Sequence, residues 1–353
     1  MTPDSPSHPL PYALGAALGT TLGYVADHVL GDPRRGHPVA AFGRAATALE
    51  RRLWRDSRAA GALHTTLCTG TAAAVAALAA AASRARGPRG SGPRVPRRGG
   101  RAGEHAPEVA LTALATWTVL GGASLRREAL GIARTLRARD LADARRRLPR
   151  LCGRDPHALD EAGIARAVVE SVAENTSDAV VGALVWGAVA GVPGLAGFRA
   201  ANTLDAMVGH RSPRYLRFGW AAARLDDLVG YPGARLTAAL AALAGPDPRA
   251  ALRAWRRDGP RHPSPNAGPV EAAFAGALGV RLGGELSYGG RAEHRAVLGG
   301  AGRPPAVRDI EHAVRLSARV CGLALLVTTG AAVLRAAAAP HPTPCPPTEA
   351  SPS

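Results

Sequence analysis

Neither lysine nor glutamine occurs in the chain, so all 44 of its basic residues are arginine. The missing lysine excludes a Walker A phosphate loop, in which Lys must precede Ser or Thr. GxSxG, HExxH and a Rossmann glycine fingerprint after a strand are absent as well. Aromatic residues make up only 4%, too few for a stacking platform on single-stranded nucleic acid. The net charge of +17 would ordinarily point to nucleic acid or an anionic surface. Here it accompanies a great excess of Ala, Gly and Pro, the mark of GC-rich codons, and we read no nucleic-acid partner from it. The four cysteines, Cys68, Cys152, Cys321 and Cys345, form no CxxC pair and have no His at metal-ligand spacing. That excludes a disulfide framework and a structural zinc site. The first residues lack the basic start and compact apolar stretch of a cleavable signal peptide, so Tyr12 to Leu30 reads as a retained helix.

What is present is a series of long apolar stretches. A membrane helix needs about 20 mainly apolar residues. Gly61 to Ala82, the shorter Val109 to Ala123, Asp178 to Ala201 and Arg319 to Ala339 are the candidates, the third interrupted by Gly191, Pro193 and Gly194. No segment alternates in the manner of a strand. The expected fold is therefore all-α, a multi-pass integral membrane protein with helical cytoplasmic segments. A soluble, Ala-rich helical bundle is the plainer alternative. We expect one domain over residues 1–339. Residues 84–105, rich in Arg, Gly and Pro, are expected to form a disordered loop, and 340–353 a Pro-rich disordered tail. The basic block from Leu125 to Ala173 reads as a cytoplasmic helical segment. Positive charge places it and residues 50–58 inside, which puts loop 84–105 outside despite its seven Arg residues.

Only three asparagines occur, Asn175, Asn202 and Asn266, and each marks a polar cluster. In VVESVAENTSDAVV (168–181), Glu170, Glu174 and Asp178 are spaced by four, so a continuous helix puts three carboxylates on one face. They repel one another, and Mg²⁺ carrying nucleotide phosphates would offset that. A solvated acidic stripe, paired with Arg154 or Arg166, is the plainer reading. Asn202 to Asp205 repeats the Asn-Thr-x-Asp pattern of 175–178 beside an apolar stretch, and Asp205 is a functional candidate on that ground. Arg224, Asp226 and Asp227 follow; Arg224 could bind phosphate, with the aspartates binding metal or orienting it. An exposed salt-bridged turn would look the same. In RHPSPNAGPVEAAFAGALGVRLGG, Pro263 and Pro265 hold Ser264 and Asn266 at the start of a helix near Gly268. Such a helix start favours an anion, unless it is ordinary capping. The later glycines permit close backbone approach to a ligand. Asp32 and His37 flank a Gly-Pro turn near the N-terminus and are weaker candidates.

The blocks LGDPRRGHPVAAFGR, GRDPHALDEAGIARAVVESVAENTSDAVV, NTLDAMVGHRSPRYLRFGWAAARLDDLVGYPGARLTA and HPSPNAGPVEAAFAGALGVRLGG resemble, in order, the signature blocks of the CobD/CbiB family, the adenosylcobinamide-phosphate synthases of cobalamin biosynthesis. The resemblance runs from about Leu14 to Gly290. His210 stands where the family has Tyr, and Pro269-Val270 where an aromatic is usual. The resemblance implies ATP-dependent joining of (R)-1-amino-2-propanol O-phosphate, or a related amino alcohol, to adenosylcobyric acid. It also implies residence in the cell membrane with the active site facing the cytoplasm, and contact with the lipid bilayer and other cobalamin-pathway enzymes. On that footing Glu170, Glu174, Asp205 and Asp227 are the expected catalytic residues. Glu174, Asp178 and Asp226 would hold Mg²⁺; Asn175, Asn202, Arg224, His262, Ser264, Asn266, Asp32 and His37 would bind ATP and substrate. A non-catalytic corrinoid transporter or scaffold is the competing class. It should concentrate polar groups inside its apolar spans, whereas here most lie at segment ends and in loops.

Overall fold

A computed structural model describes residues 9–33, 36–85, 105–157, 159–288 and 291–339. Twelve α-helices and one β-hairpin make up these residues. The first three helices are α1 (Leu10–Leu30), α2 (Pro38–Leu53) and α3 (Arg58–Ala85). Next come α4 (Ala106–Val119), α5 (Gly122–Arg137), α6 (Leu141–Arg147) and α7 (Glu161–Thr176). The polar centre follows on α8 (Gly182–Leu204), α9 (Trp220–Ala244), α10 (Pro248–Asp258) and α11 (Ala267–Leu278). Strands β1 (Leu282–Tyr288) and β2 (Arg291–Leu298) precede the last helix, α12 (Val307–Ala337). The all-α reading holds. Most of loop 84–105 and the whole tail 340–353 lie outside the described residues.

Four helical stretches are long and apolar enough to cross a membrane: Arg58–Ala85, Ala106–Arg137, Glu161–Gly209 and Val307–Ala337. Large apolar side chains point outward along them and along α1, among them Leu18, Leu22, Leu63, Leu78, Leu326 and Leu334. In water that much exposed apolar surface would drive association; in a bilayer it is the lipid-facing belt. Lipid supplies no hydrophobic drive between helices, so close backbone packing must hold them together. Gly19 and Gly23 of α1 form such a contact with α4. A Cβ at Gly19 would lie 2.7 Å from the Val109 carbonyl oxygen, and one at Gly23 2.4 Å from that of Ala113.

Two expectations need correction. The polar block does not extend to Ala173 as a solvated segment. Its last helix, α7, is a core element, with Ile164, Val168, Val169 and Val172 fully buried against α5, α11, α12 and the hairpin. The second correction is the hairpin itself, where the sequence reading found no strands. β1 and β2 pair antiparallel, Leu282 opposite Leu298, with a bulge between Leu282 and Gly284. Gly283 sits in the bulge at φ +73°, and its N–H is turned toward α7. The glycines read as room for a ligand therefore shape a strand.

Candidate active site

Both Asn-Thr-x-Asp segments end in a π-helical turn, Ser177–Val181 after the first and Asp205–Gly209 after the second. Such turns widen a helix by one residue and are frequent at functional sites. At the first, the Asn175 amide donates to the Ser171 carbonyl at 2.9 Å, and the Thr176 hydroxyl to Val172 and to Ser317 of α12. At the second, a Cβ on Gly209 would fall 1.9 Å from Asp205 Oδ1, so the missing side chain leaves that carboxylate its present place.

The three carboxylates of α7 do share a face, but their surroundings differ. Glu170 is buried, ion-paired with buried Arg154, and its Oε1 accepts the Gly283 N–H at 2.7 Å. Glu174, one turn on, is exposed, and Asp178 is half-buried. Half-buried Asp226 of α9 faces them; its carboxyl is pushed up to about 7 by burial first and by the charge of Asp205 next, with Asp227 and Glu174 adding to it. The Asn202 amide donates to Asp226 Oδ1 at 3.3 Å, and the Asn202 oxygen accepts from Arg199. Arg199 also donates to the carbonyls of Val119 and Ala179, and its charge acts on Asp178, Asp32, Asp27 and Asp226. Asp32, in the loop after α1, is thus within electrostatic reach of the same arginine.

The block 262–266 approaches from the other side. His262 is buried, its Nδ1 accepting the Ser264 N–H and its Nε2 4.0 Å from Glu271. Burial, then the neighbouring Arg295, lowers the His262 pKa and so favours the neutral ring. Burial and the charges of Glu170 and Glu174 hold Glu271 well above the ordinary carboxylate range. The Asn266 amide donates to the Asp227 carbonyl at 2.9 Å, joining this block to α9. The anion site expected at the start of α11 is corrected: the Ser264 hydroxyl itself accepts the Asn266 and Ala267 N–H groups, the capping arrangement. The His37 ring nitrogen has a local role, capping α2 by accepting the Val39 N–H at 3.2 Å.

Exposed Arg224 lies 3.4 Å from Asp227 at the mouth of the cluster. Both line a cavity of about 740 Å³ with His210, Arg211, Tyr215 and Trp220. Among the described residues no three acidic, His or Cys side chains converge closely enough to cage a metal ion. The donors are nevertheless hard carboxylate oxygens, some of them held against their charge. That set suits a Mg²⁺ bound by one or two carboxylates together with substrate phosphates, the usual mode of that ion. The sequence reading missed Glu271, Arg199 and Arg295 as members of the site. Glu271 and Arg199 each stand alone as a charge in an apolar stretch, a signal that was present.

The profile of the family described as CobD/Cbib protein matches residues 20–317, and this range includes every residue of the cluster. The chain belongs to the CobD/CbiB family. Its relatives include proteins named cobalamin biosynthesis protein CobD. That of Mycobacterium tuberculosis H37Rv is 53% identical over 322 residues, covering 90% of this chain and 94% of the relative. The Stutzerimonas stutzeri protein is 46% identical over 301 residues, 85% and 93% of the two chains. The Chromobacterium violaceum protein is 41% identical over 332 residues, 91% and 98%. No solved structure matches. Membership in the CobD/CbiB family places the chain among the proteins of cobalamin biosynthesis.

Proposed function

We propose that the chain is an ATP-dependent acid–amine ligase that joins (R)-1-amino-2-propanol O-phosphate, or a related amino alcohol, to adenosylcobyric acid, giving adenosylcobinamide phosphate. The observation that carries this reading is the contrast within the site. Asp178, Asp205 and Asp226 meet one another as like charges, and Asp227 beside them lines a cavity walled by Arg58, Arg211, Arg217 and Arg224, whereas Glu170 is tied to Arg154 and Gly283. A ligase needs that arrangement, because a carboxylate is a poor acyl electrophile until phosphoryl transfer from ATP turns one oxygen into a leaving group. The amine nitrogen then attacks the carbonyl carbon, phosphate departs with that oxygen, and the nitrogen gives up a proton.

The residues divide accordingly. Glu174, Asp178 and Asp226 would hold Mg²⁺, which when bound neutralises phosphate charge. Arg224 meets a phosphate, and Asp227 orients it through their contact. Glu170 is committed at both oxygens to Arg154 and Gly283, so it acts by fixing α7 against the hairpin rather than by taking the proton. Glu174, Asp205 and neutral His262 remain as acceptors for the amine proton. Asn202 holds Asp226 in place, Asn175 and Asn266 hold their helices, and Ser264 fixes the entry to α11. We place the protein in the cell membrane with this site toward the cytoplasm, where ATP is available.

The test is direct. Purified protein in lipid nanodiscs receives adenosylcobyric acid, ATP, Mg²⁺ and the amino-alcohol phosphate, and mass spectrometry follows the corrinoid. The expected product is the amide, formed with ATP consumption. Corrinoid binding without ATP turnover or amide would overturn the ligase reading in favour of a transporter or scaffold. Resistance to carbonate and high-salt extraction checks membrane residence; release by salt would mean that arginine charge, not spanning helices, holds the chain there.

A further inference from the structure

We infer that the cavity between the loop 209–217, the start of α9 and the Pro263–Pro265 turn is the seat of a nucleoside triphosphate. Its base would stack on Trp220, and its phosphates would lie among Arg58, Arg211, Arg217 and Arg224. This rests on the ATP-dependent reading and says where, and by which residues, the nucleotide is held.

Charge is the first argument. Four arginines and His210 line the cavity against a single carboxylate, Asp227. Arg211 and Arg58 make no ion pair among the described residues, and Arg58 contacts only the Trp220 ring, with its guanidinium carbon 5.4 Å from the ring centroid. Arg217 reaches Asp56 only at 3.8 Å, with both side chains about 60% exposed, and so remains free to turn inward. Guanidinium groups crowded around one space repel each other, and a polyphosphate relieves that with bidentate hydrogen bonds. Size is the second argument. About 740 Å³ lies in the range of pockets that bury a ligand of drug size, and it far exceeds what a phosphate ion needs. The third is the indole. Trp220 is 43% exposed at the cavity wall, and an aromatic ring already faced by a guanidinium offers its other side to a purine. The fourth is direction. Asp227 lines the cavity, and its charge acts on Asp205 and Asp226, so the phosphate end of a nucleotide here meets the carboxylate cluster.

Binding of the fluorescent analogue mant-ATP to the full chain tests this. It is measured in zwitterionic-lipid nanodiscs, with EDTA present and no corrinoid. Energy transfer from tryptophan to the mant group is expected in the wild type and should fall in W220F. Arg211→Ser and Arg217→Ser are expected to weaken binding about tenfold each. Arg253→Ser, an exposed change on α10, should leave binding unaltered, and thermal unfolding confirms that each variant folds. Unchanged affinity in both cavity variants would overturn the proposal. Inorganic phosphate competing as well as ATP would also overturn it, leaving a simple phosphate site. Displacement of mant-ATP by anionic lipid in the nanodisc would assign the arginines to headgroups instead. Nucleotide binding here without amide synthesis would uphold the cavity and sink only the ligase reading.

Discussion

Glu170 and Glu174 stand one turn apart on the same helix, and the molecule treats them in opposite ways. Glu170 is buried with both oxygens satisfied, one by Arg154 and one by the Gly283 N–H. Glu174 is exposed and meets Glu170, Asp178, Asp205 and Asp226 as like charges, with Arg295 and Arg154 as partial compensation. Identical side chains at helical spacing therefore divide into a fastening and a working group. What divides them is the packing: the hairpin and the residue 150–157 loop close over the first and leave the second open. Stability is stored at Glu170, whereas Glu174 stands open among charges of both signs, its carboxylate still available to a cation or a phosphate-bound metal.

The largest effect expected from this contrast is on turnover. Glu174→Gln keeps the size of the side chain and removes its charge. Amide synthesis should fall about 100-fold or more, on the scale of losing several kcal/mol of metal-assisted stabilisation. The melting temperature should change little, because the exposed side chain loses repulsion from Glu170 and Asp205 together with attraction to Arg295 and Arg154. Near-normal turnover in this variant would show the acidic stripe to be solvated decoration. Arg154→Ala tests the opposite member. It strands buried Glu170 without its partner and should cost about 3–5 kcal/mol of stability. Urea or thermal unfolding in detergent reads this, and a loss below about 1 kcal/mol would mean that the pair is not the fastening described.

Gly283→Ala probes the same fastening from the hairpin. A left-handed φ costs a non-glycine residue about 1–2 kcal/mol. A Cβ there would also stand 2.2 Å from the Ala296 carbonyl oxygen. Destabilisation by at least that amount is expected, and any part of the loss that shrinks in the Arg154→Ala background would place both residues in one unit through Glu170. Full additivity would separate them.

Much of this was legible in the sequence. Spans show as apolar runs of sufficient length, and the four-residue spacing of Glu170, Glu174 and Asp178 gave their common face. The repeated Asn-Thr-x-Asp pattern marked both π-helical turns, although nothing in residue type announces a π turn. The partners were not legible. Arg154 and Gly283 lie 16 and 113 residues from Glu170, and only folding selects them from among many arginines and glycines. The hairpin escaped because β1 and β2 carry glycines and charges where alternating apolar residues would have betrayed strands. Its ends are instead fixed from outside, by Glu170 at Gly283 and by Asp258 at Gly299. Glu271 was overlooked inside an Ala-rich helix, where one buried charge among ten buried neighbours should have stood out.

The smallest predicted effect concerns Asp226, and its sign follows from proton linkage. Burial and the charge of Asp205 raise the folded-state pKa to about 7, whereas an unfolded Asp titrates near its ordinary value of about 3.9. Between those values the folded protein binds more protons than the unfolded chain, so stability falls as pH rises through this window. The stability that protonated Asp226 contributes is fully present below about pH 4 and lost as the pH passes about 7. Asp226→Asn carries no titrating group, so its contribution to this slope disappears. At pH 8 the variant should be more stable than the wild type by on the order of 1 kcal/mol, since the half-exposed position lets solvent screen part of the shift. At pH 4.5 the two should nearly coincide. Thermal unfolding of both proteins in the same detergent from pH 4.5 to 8.5 makes the measurement, with Mg²⁺ absent so that only protons compete for the carboxylate. Parallel profiles would mean that Asp226 lies outside the strained cluster. Convergence at low pH would mark it, like Glu174, as a charge the fold holds ready rather than one it uses to stay folded.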